Sequence, residues 1–511
     1  MTYSNVHLFC PSLDATFIGV SNGTVEKYQN IKYGELKARF TLAERFTYPQ
    51  GATVNCTHQG PLCPQDTPYK DSLVGVPDNL VKSFELNYDE FECLNLMITK
   101  PTTESSDSCK KLPVMVWIHG GGNIAGTPYR HLCDPSRLVQ HSIDIGKPVI
   151  VVSIQYRVHV FGWLPFNGVG NFGLHDQKLA LQWVHDHIGD FVGDFSQVTL
   201  IGQSAGSCCA IRHAQNPTES GVLFQQVAFL SGSMRSMAPV SLKRYQELAA
   251  RLAQECNVDV HSLVNVPWQD LVAATRKLGI QILYPVDDGI FLPKGSYTDY
   301  NPKFDHSLRA VLISDCIEDG YFFTDELKYL SNEDLEKLLV DAGGSKCLEE
   351  YGGIQHLNDI MTDLCFCKGN EELDVAMRAN QFSNTKIFRQ FFDAMNPLSP
   401  HFGNNHMVEV FYYFGAYLTD YTVNSDILTL SRQCQHRLLH FLYGESPWPE
   451  EKILRVTDTL REVEYAQRAR FRRLEKFPLL EFGAISDSNY TNAIHVLVSD
   501  GWANINDFND K

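Results

Sequence analysis

Short, wholly apolar runs alternate with helix-length stretches through the middle of the chain. Residues 112–119, LPVMVWIH, form one such run and end at three glycines. Residues 148–156, PVIVVSIQY, form a second. Between 177 and 188, Leu179, Trp183, Val184 and Ile188 recur at helical spacing. Residues 198–201 are a short β-rich run that stops at Gly202, and 227–230 follow after a helix-length gap. A last run, 310–313, comes much later. Strands apolar on both faces and separated by helices predict a mostly parallel sheet covered on both sides, an α/β fold. In the last third, 427–444 and 450–477 carry 3.6-type patterns and predict two long helices around the same sheet. No repeat or low-complexity linker breaks the chain, so residues 1–511 read as a single large domain.

Charge narrows the partners. The formal net charge is -17, which repels phosphate backbones and argues against nucleic acid. The most basic stretch, 468–477 (RARFRRLEKF), distributes its charges around a helix and predicts a solvated face. No run of 18 apolar residues suggests a membrane span. The first residues lack a basic segment followed by a continuous apolar one, so the expected location is cytoplasmic, with secretion as the alternative. The sequons at Asn22, Asn55 and Asn489 would matter only after secretion. Fourteen cysteines are scattered without paired zinc-type spacing.

Candidate chemistry centres on residues 202–206, GQSAG. A strand runs into Gly202, and a plausible helix start, SCCAIRHAQ, follows Gly206. Strand, tight turn and helix with a serine at the apex make Ser204 a candidate nucleophile. The His119-Gly120-Gly121-Gly122 loop ends another apolar strand. Its free N–H groups suit a developing oxyanion, so Gly121, Gly122 and Ala205 are the candidate donors. A serine also needs a base and an acid to orient it, and 18 histidines are too many to choose among by residue type.

Longer stretches resolve that choice. QYRVHVFGWL (155–164), GNFGLHDQKLALQWV (170–184), DFSQVTLIGQSAG (194–206) and PVDDGIFLP (285–293) resemble the type-B carboxylesterase/cholinesterase family. GTVEKYQNIKYGELKARF, near the start, resembles the family's opening strands. FECLNLMI (91–98) is an imperfect version of a further motif. The resemblance covers most of the chain and implies the α/β-hydrolase fold and a serine carboxylesterase that needs no metal or organic cofactor. It places the triad acid before a glycine, at Asp319, where the family usually has glutamate; Glu318 remains the fallback. It places the histidine at His406, within GNNHMVEVFYYFG (403–415). The order Ser204, Asp319, His406 fits the family. Ser231 would be a partner of the acid. Cys63 and Cys93 fall where family members carry a disulfide, and a cytosolic chain would hold them as thiols.

The resemblance also guides specificity. Cholinesterases carry an acidic residue before the serine and a tryptophan between those two cysteines. Here position 203 is glutamine, and residues 63–93 contain no tryptophan; the first is Trp117. A neutral ester is therefore the expected substrate, with poor use of choline esters. His185-Asp186-His187 and His436/His440 are read as structural rather than metal-binding. Cys208, Cys209, Met234 and Met237 are assigned to core packing. The rival reading is a non-catalytic binding or adhesion protein on the same fold; a third keeps the triad for lactone, amide or acyl-transfer chemistry.

Overall fold

The computed structural model describes residues 3–66, 71–102, 110–216, 222–294, 304, 307–321, 330–341, 344–381, 384–420 and 423–480. Thirteen strands form one sheet among these residues. They are β1 (Ser4–Cys10), β2 (Ala15–Ser21), β3 (Val25–Lys32), β4 (Ala52–Asn55), β5 (Asn95–Pro101), β6 (Leu112–Ile118), β7 (Ile150–Ile154), β8 (Gly193–Gln203), β9 (Gln226–Leu230), β10 (Ala310–Cys316), β11 (Lys386–Phe392), β12 (Lys452–Val456) and β13 (Leu460–Glu464). The order is β1-β2-β3-β5-β7-β6-β8-β9-β10-β11-β12-β13, with β4 beside β2. Pairing from β7 through β12 is parallel, while β1, β2, β3 and β5 at one end and β13 at the other are antiparallel.

The central strands are apolar throughout because both faces are covered. Along β6, Leu112, Val114, Val116 and Ile118 join one buried cluster, and Met115 and Trp117 join the other. Val227 and Phe229 of β9 alternate with Ala228 and Leu230 in the same way. Side chains that alternate at period two on a sheet covered twice must read as an unbroken apolar run. Four helices matter for the site: α1 (Phe172–His187), α2 (Ala205–Gln215), α3 (Val408–Phe414) and α4 (Ser425–Leu442).

The expected helix over 427–444 is α4, but the one expected over 450–477 is not formed. That segment is the β12–β13 hairpin followed by the short 3₁₀ turns Tyr465–Arg470 and Leu474–Leu480. Ile453, Val456, Leu460 and Val463 recur at three to four residues and imitate a helix. Strand-favouring residues and the Thr457-Asp458-Thr459 turn, closed by Thr457 N–H to Thr459 O at 3.0 Å, settle the segment as a hairpin. The basic run after it is no solvated face either. Arg472 is 4% exposed, donates to Asp315 Oδ1 at 2.7 Å and Asp393 Oδ1 at 3.0 Å, and covers the Phe391 ring. Arg473 pairs with Asp363, and Arg468 with Glu371.

Asp315 therefore sits between Arg472 and Arg389 at the end of β10. Burial raises the proton affinity of its carboxyl, but the two guanidiniums outweigh that and hold it below the usual range. This contribution to stability is present above the ordinary carboxylate pKa and fades as pH falls through the lowered value. Arg472→Ala leaves two buried carboxylates under-compensated, so urea unfolding should report a loss of about 3 kcal/mol. A loss within 0.5 kcal/mol, the size of a surface change, would show the network contributes little.

Candidate active site

The parallel register carries the site's segments to one edge. Ile118 of β6 pairs with Gly202 of β8, Gln203 with Leu230 of β9, and Leu230 with Ser314 of β10. The loops leaving these strands emerge side by side at their C-terminal ends, where open α/β sheets bind ligands.

Ser204 joins β8 to α2 with φ +57° and ψ -126°, outside the comfortable regions for a side-chain-bearing residue. Its N–H donates to Leu230 O at 2.8 Å, and its carbonyl accepts from Cys208 N–H at 3.1 Å. The turn brings chain segments into contact. A Cβ on Gly202 would lie 2.0 Å from Gly206 O, and one on Gly206 would lie 2.2 Å from Ile118 O. Only glycine fits at either position. Ser204 itself is half-buried, whereas Gln203, His406 and Asp319 are buried.

The glycine loop lies beside this turn. Gly121 and Gly122 have φ of +116° and +59°. The Gly121 carbonyl accepts from Ile124 and Ala125, and the Gly122 carbonyl from Leu283. With both carbonyls so fixed, the N–H groups of Gly121, Gly122 and Ala205 have no hydrogen-bond acceptor among the described residues. His119 anchors the loop's start: its ring stacks on Tyr156 at 4.5 Å, and burial pushes its pKa down to about 4.

Asp319 follows β10. Its Oδ1 accepts from His406 Nδ1 at 2.8 Å, and its Oδ2 from Cys316 N–H at 2.7 Å. Glu318 is turned elsewhere and accepts from Asn404 N–H at 2.7 Å. His406 precedes α3, and the Phe366 ring lies 5.1 Å from its own. Phe366 sits on a π-helical turn, Asp363–Cys367, within a longer helical stretch. The Phe322-Phe323 end of the acid motif lies outside the described residues, as does Asn489.

Ser231 does not touch the acid carboxylate. Its hydroxyl lies 3.4 Å from Cys316 Sγ, whose thiol donates to Glu409 Oε2 at 3.2 Å. Glu409 is buried, and burial followed by the charge of Asp319 pushes its pKa up. Its place three residues after His406 was the signal in the sequence, but spacing gave it no role. Cys63 and Cys93 are buried thiols in contact with each other. Met234, Met237, Cys208 and Cys209 belong to the core. In the His185–His187 stretch, Asp186 pairs with Arg45 and His187 meets Ser12. Among the described residues, no group of three or more His, Cys, Asp or Glu is placed to hold a metal.

Comparison with known proteins identifies the family. The model of the Carboxylesterase family matches residues 15–466. Lipase 3 of Yarrowia lipolytica is 33% identical over 455 residues, covering 86% of this chain and 89% of that protein. Lipase 1 of the same yeast is 31% identical over 487 residues, covering 92% and 94%. A solved PNB esterase shares the fold at a TM-score of 0.75 and 23% identity, over 93% of this chain and 99% of that one. The sheet is that of the α/β-hydrolase fold, and the chain belongs to the carboxylesterase family.

Proposed function

We propose that this carboxylesterase-family chain hydrolyses neutral carboxylic esters through an acyl-enzyme on Ser204. The observation that carries the reading is the Asp319–His406 pair. The bond to Nδ1 fixes the histidine tautomer and turns Nε2 toward the turn that holds Ser204, where it meets the side chain of the adjacent Gln203. His406 Nε2 takes the proton as Ser204 Oγ attacks the ester carbonyl. The Gly121, Gly122 and Ala205 N–H groups receive the oxyanion. Nε2 returns the proton to the departing alcohol. Water then attacks the acyl-enzyme by the same route and releases the acid. Asp319 orients the imidazole and offsets its transient charge. The retained serine, histidine, acid and open amides favour this over the binding-protein reading.

Ser204→Ala should abolish both turnover of p-nitrophenyl esters and fluorophosphonate labelling, with the folded protein intact. The relatives named lipases make long acyl chains candidates, so a short and a long ester are compared. Wild type that is folded yet neither turns over nor labels would return the chain to the binding-protein reading. Asp319→Asn should lower kcat by roughly 10³–10⁴, as expected when the wrong tautomer is favoured. Glu318→Gln should cost far less, because that carboxylate bonds the loop and not the ring. A reversed ranking of the two variants assigns the acid to Glu318. With Gln203 neutral, choline esters should be turned over no faster than matched neutral esters; faster turnover by tenfold would overturn the neutral-ester assignment.

A further inference from the structure

The mechanism above uses no part of the Gln203 side chain, yet no side chain is placed more tellingly. Gln203 is wholly buried, and its Nε2 lies 3.4 Å from His406 Nε2. Its Oε1 is buried and has no hydrogen-bond partner among the described residues. A Cβ on Gly120 would stand 2.9 Å from that oxygen. The amide thus lies between the glycine loop and the base, with room left by the absent side chain of Gly120.

The tautomer decides which end of the amide faces the ring. Nδ1–H is given to Asp319, so neutral His406 presents a single lone pair at Nε2, which the amide N–H shares with the Ser204 hydroxyl and yields once that proton is taken. Once Nε2 has taken the serine proton it becomes a donor, and two donors then face each other. A half-turn of the terminal amide would exchange nitrogen for oxygen. Oε1 has no bond to lose in that half-turn, which gives the unpartnered buried acceptor a purpose.

We propose that Gln203 is a positioning residue whose amide donates to neutral His406 and, after a half-turn, accepts from the imidazolium. The proposal rests on His406 being the base. No proton passes through the amide: it leaves Ser204 Oγ, rests on His406 Nε2 and goes to the departing alkoxide, and the deacylating water's proton follows the same path. A neutral group that serves both protonation states favours neither strongly. A carboxylate at 203 can only accept, and its charge favours the imidazolium. A methionine, of similar length, can do neither.

Among the described residues, several titratable groups stand near the ring, and the buried Cys365 and Cys367 flank Phe366 on the turn packed against it. Asp319 faces it from the loop after β10, and Glu409 lies on α3 with Cys316 bonded to it. Glu318 is committed to Asn404 N–H. None of these groups is altered by substitution at 203.

The test is the pH dependence of kcat/KM for p-nitrophenyl butyrate in wild type, Gln203→Glu and Gln203→Met, with thermal midpoints recorded for each. Gln203→Glu should move the acid limb to higher pH by about one unit or more, as expected for an opposite charge within 4–6 Å. Gln203→Met should leave that limb in place, with kcat down about tenfold and KM changed little. A Gln203→Glu profile that superimposes on wild type in a folded protein overturns the proposal. If Gln203→Glu does not fold, wild-type kcat in Gln203→Met overturns it. His406→Gln separates the two readings: a variant that still reacts with fluorophosphonate at the wild-type rate would refute the base assignment itself.

Discussion

The site depends on one backbone constraint, the left-handed conformation of Ser204 at the end of β8. Such a residue costs of order 1–3 kcal/mol and persists only where its surroundings over-determine it. Here they do. The neighbouring strand holds the Ser204 N–H through Leu230, and α2 begins by taking its carbonyl. Gly206 lies so close to Ile118 and His119 that the turn packs directly against the start of the glycine loop. The turn that exposes the hydroxyl therefore also brings the three unpartnered amides beside it. The proposed nucleophile and the proposed oxyanion donors are two results of the same packing.

The proposed acid and base arrive from farther along the sheet's C-terminal edge. Asp315 closes β10 within a buried ion network, and four residues later Asp319 meets His406. Aspartate is a methylene shorter than glutamate, and its Oδ1 still reaches His406 Nδ1 at 2.8 Å. Glu318 contributes by binding Asn404 N–H, two residues before the histidine. Asn396 adds a further tie through Asn405 Oδ1 at 3.0 Å. Two adjacent carboxylates thus divide the work, one on the ring and one on the loop that carries it.

Much of this was legible in the sequence, and for a physical reason. Strands buried on both faces announce themselves as short apolar runs, and β6, β7, β8, β9 and β10 all lie where such runs predict them. The turn at Ser204 and the glycine loop were legible because their close contacts admit only small residues. The stretches that carry the family resemblance also touch one another. Arg157 forms a buried two-point pair with Asp176, and Asn171 exchanges two 2.8 Å bonds with Val286. What the sequence hid was long-range polar pairing. Nothing local distinguishes Arg472 from the less buried basic residues around it; only the carboxylates of Asp315 and Asp393, far away in the chain, make it internal. The hairpin at β12 and β13 was hidden because its apolar spacing fits two periods.

Glu409 poses the remaining electrostatic question, since a second buried carboxyl beside the proposed triad could change what His406 experiences. Two carboxylates charged together in so dry a place would each oppose the other's ionisation. The structure resolves this unequally. Asp319 accepts two short hydrogen bonds, from a backbone N–H and from the imidazole. Glu409 accepts only a thiol at Oε2, and its Oε1 finds no partner among the described residues. Burial first, and then the charge of Asp319, drives Glu409 toward its protonated form. The Cys316 thiol is driven up by burial and by the same two acids, so it stays a donor between them. Asp319 remains the carboxylate that touches the ring, placed to orient the imidazole in the proposed mechanism.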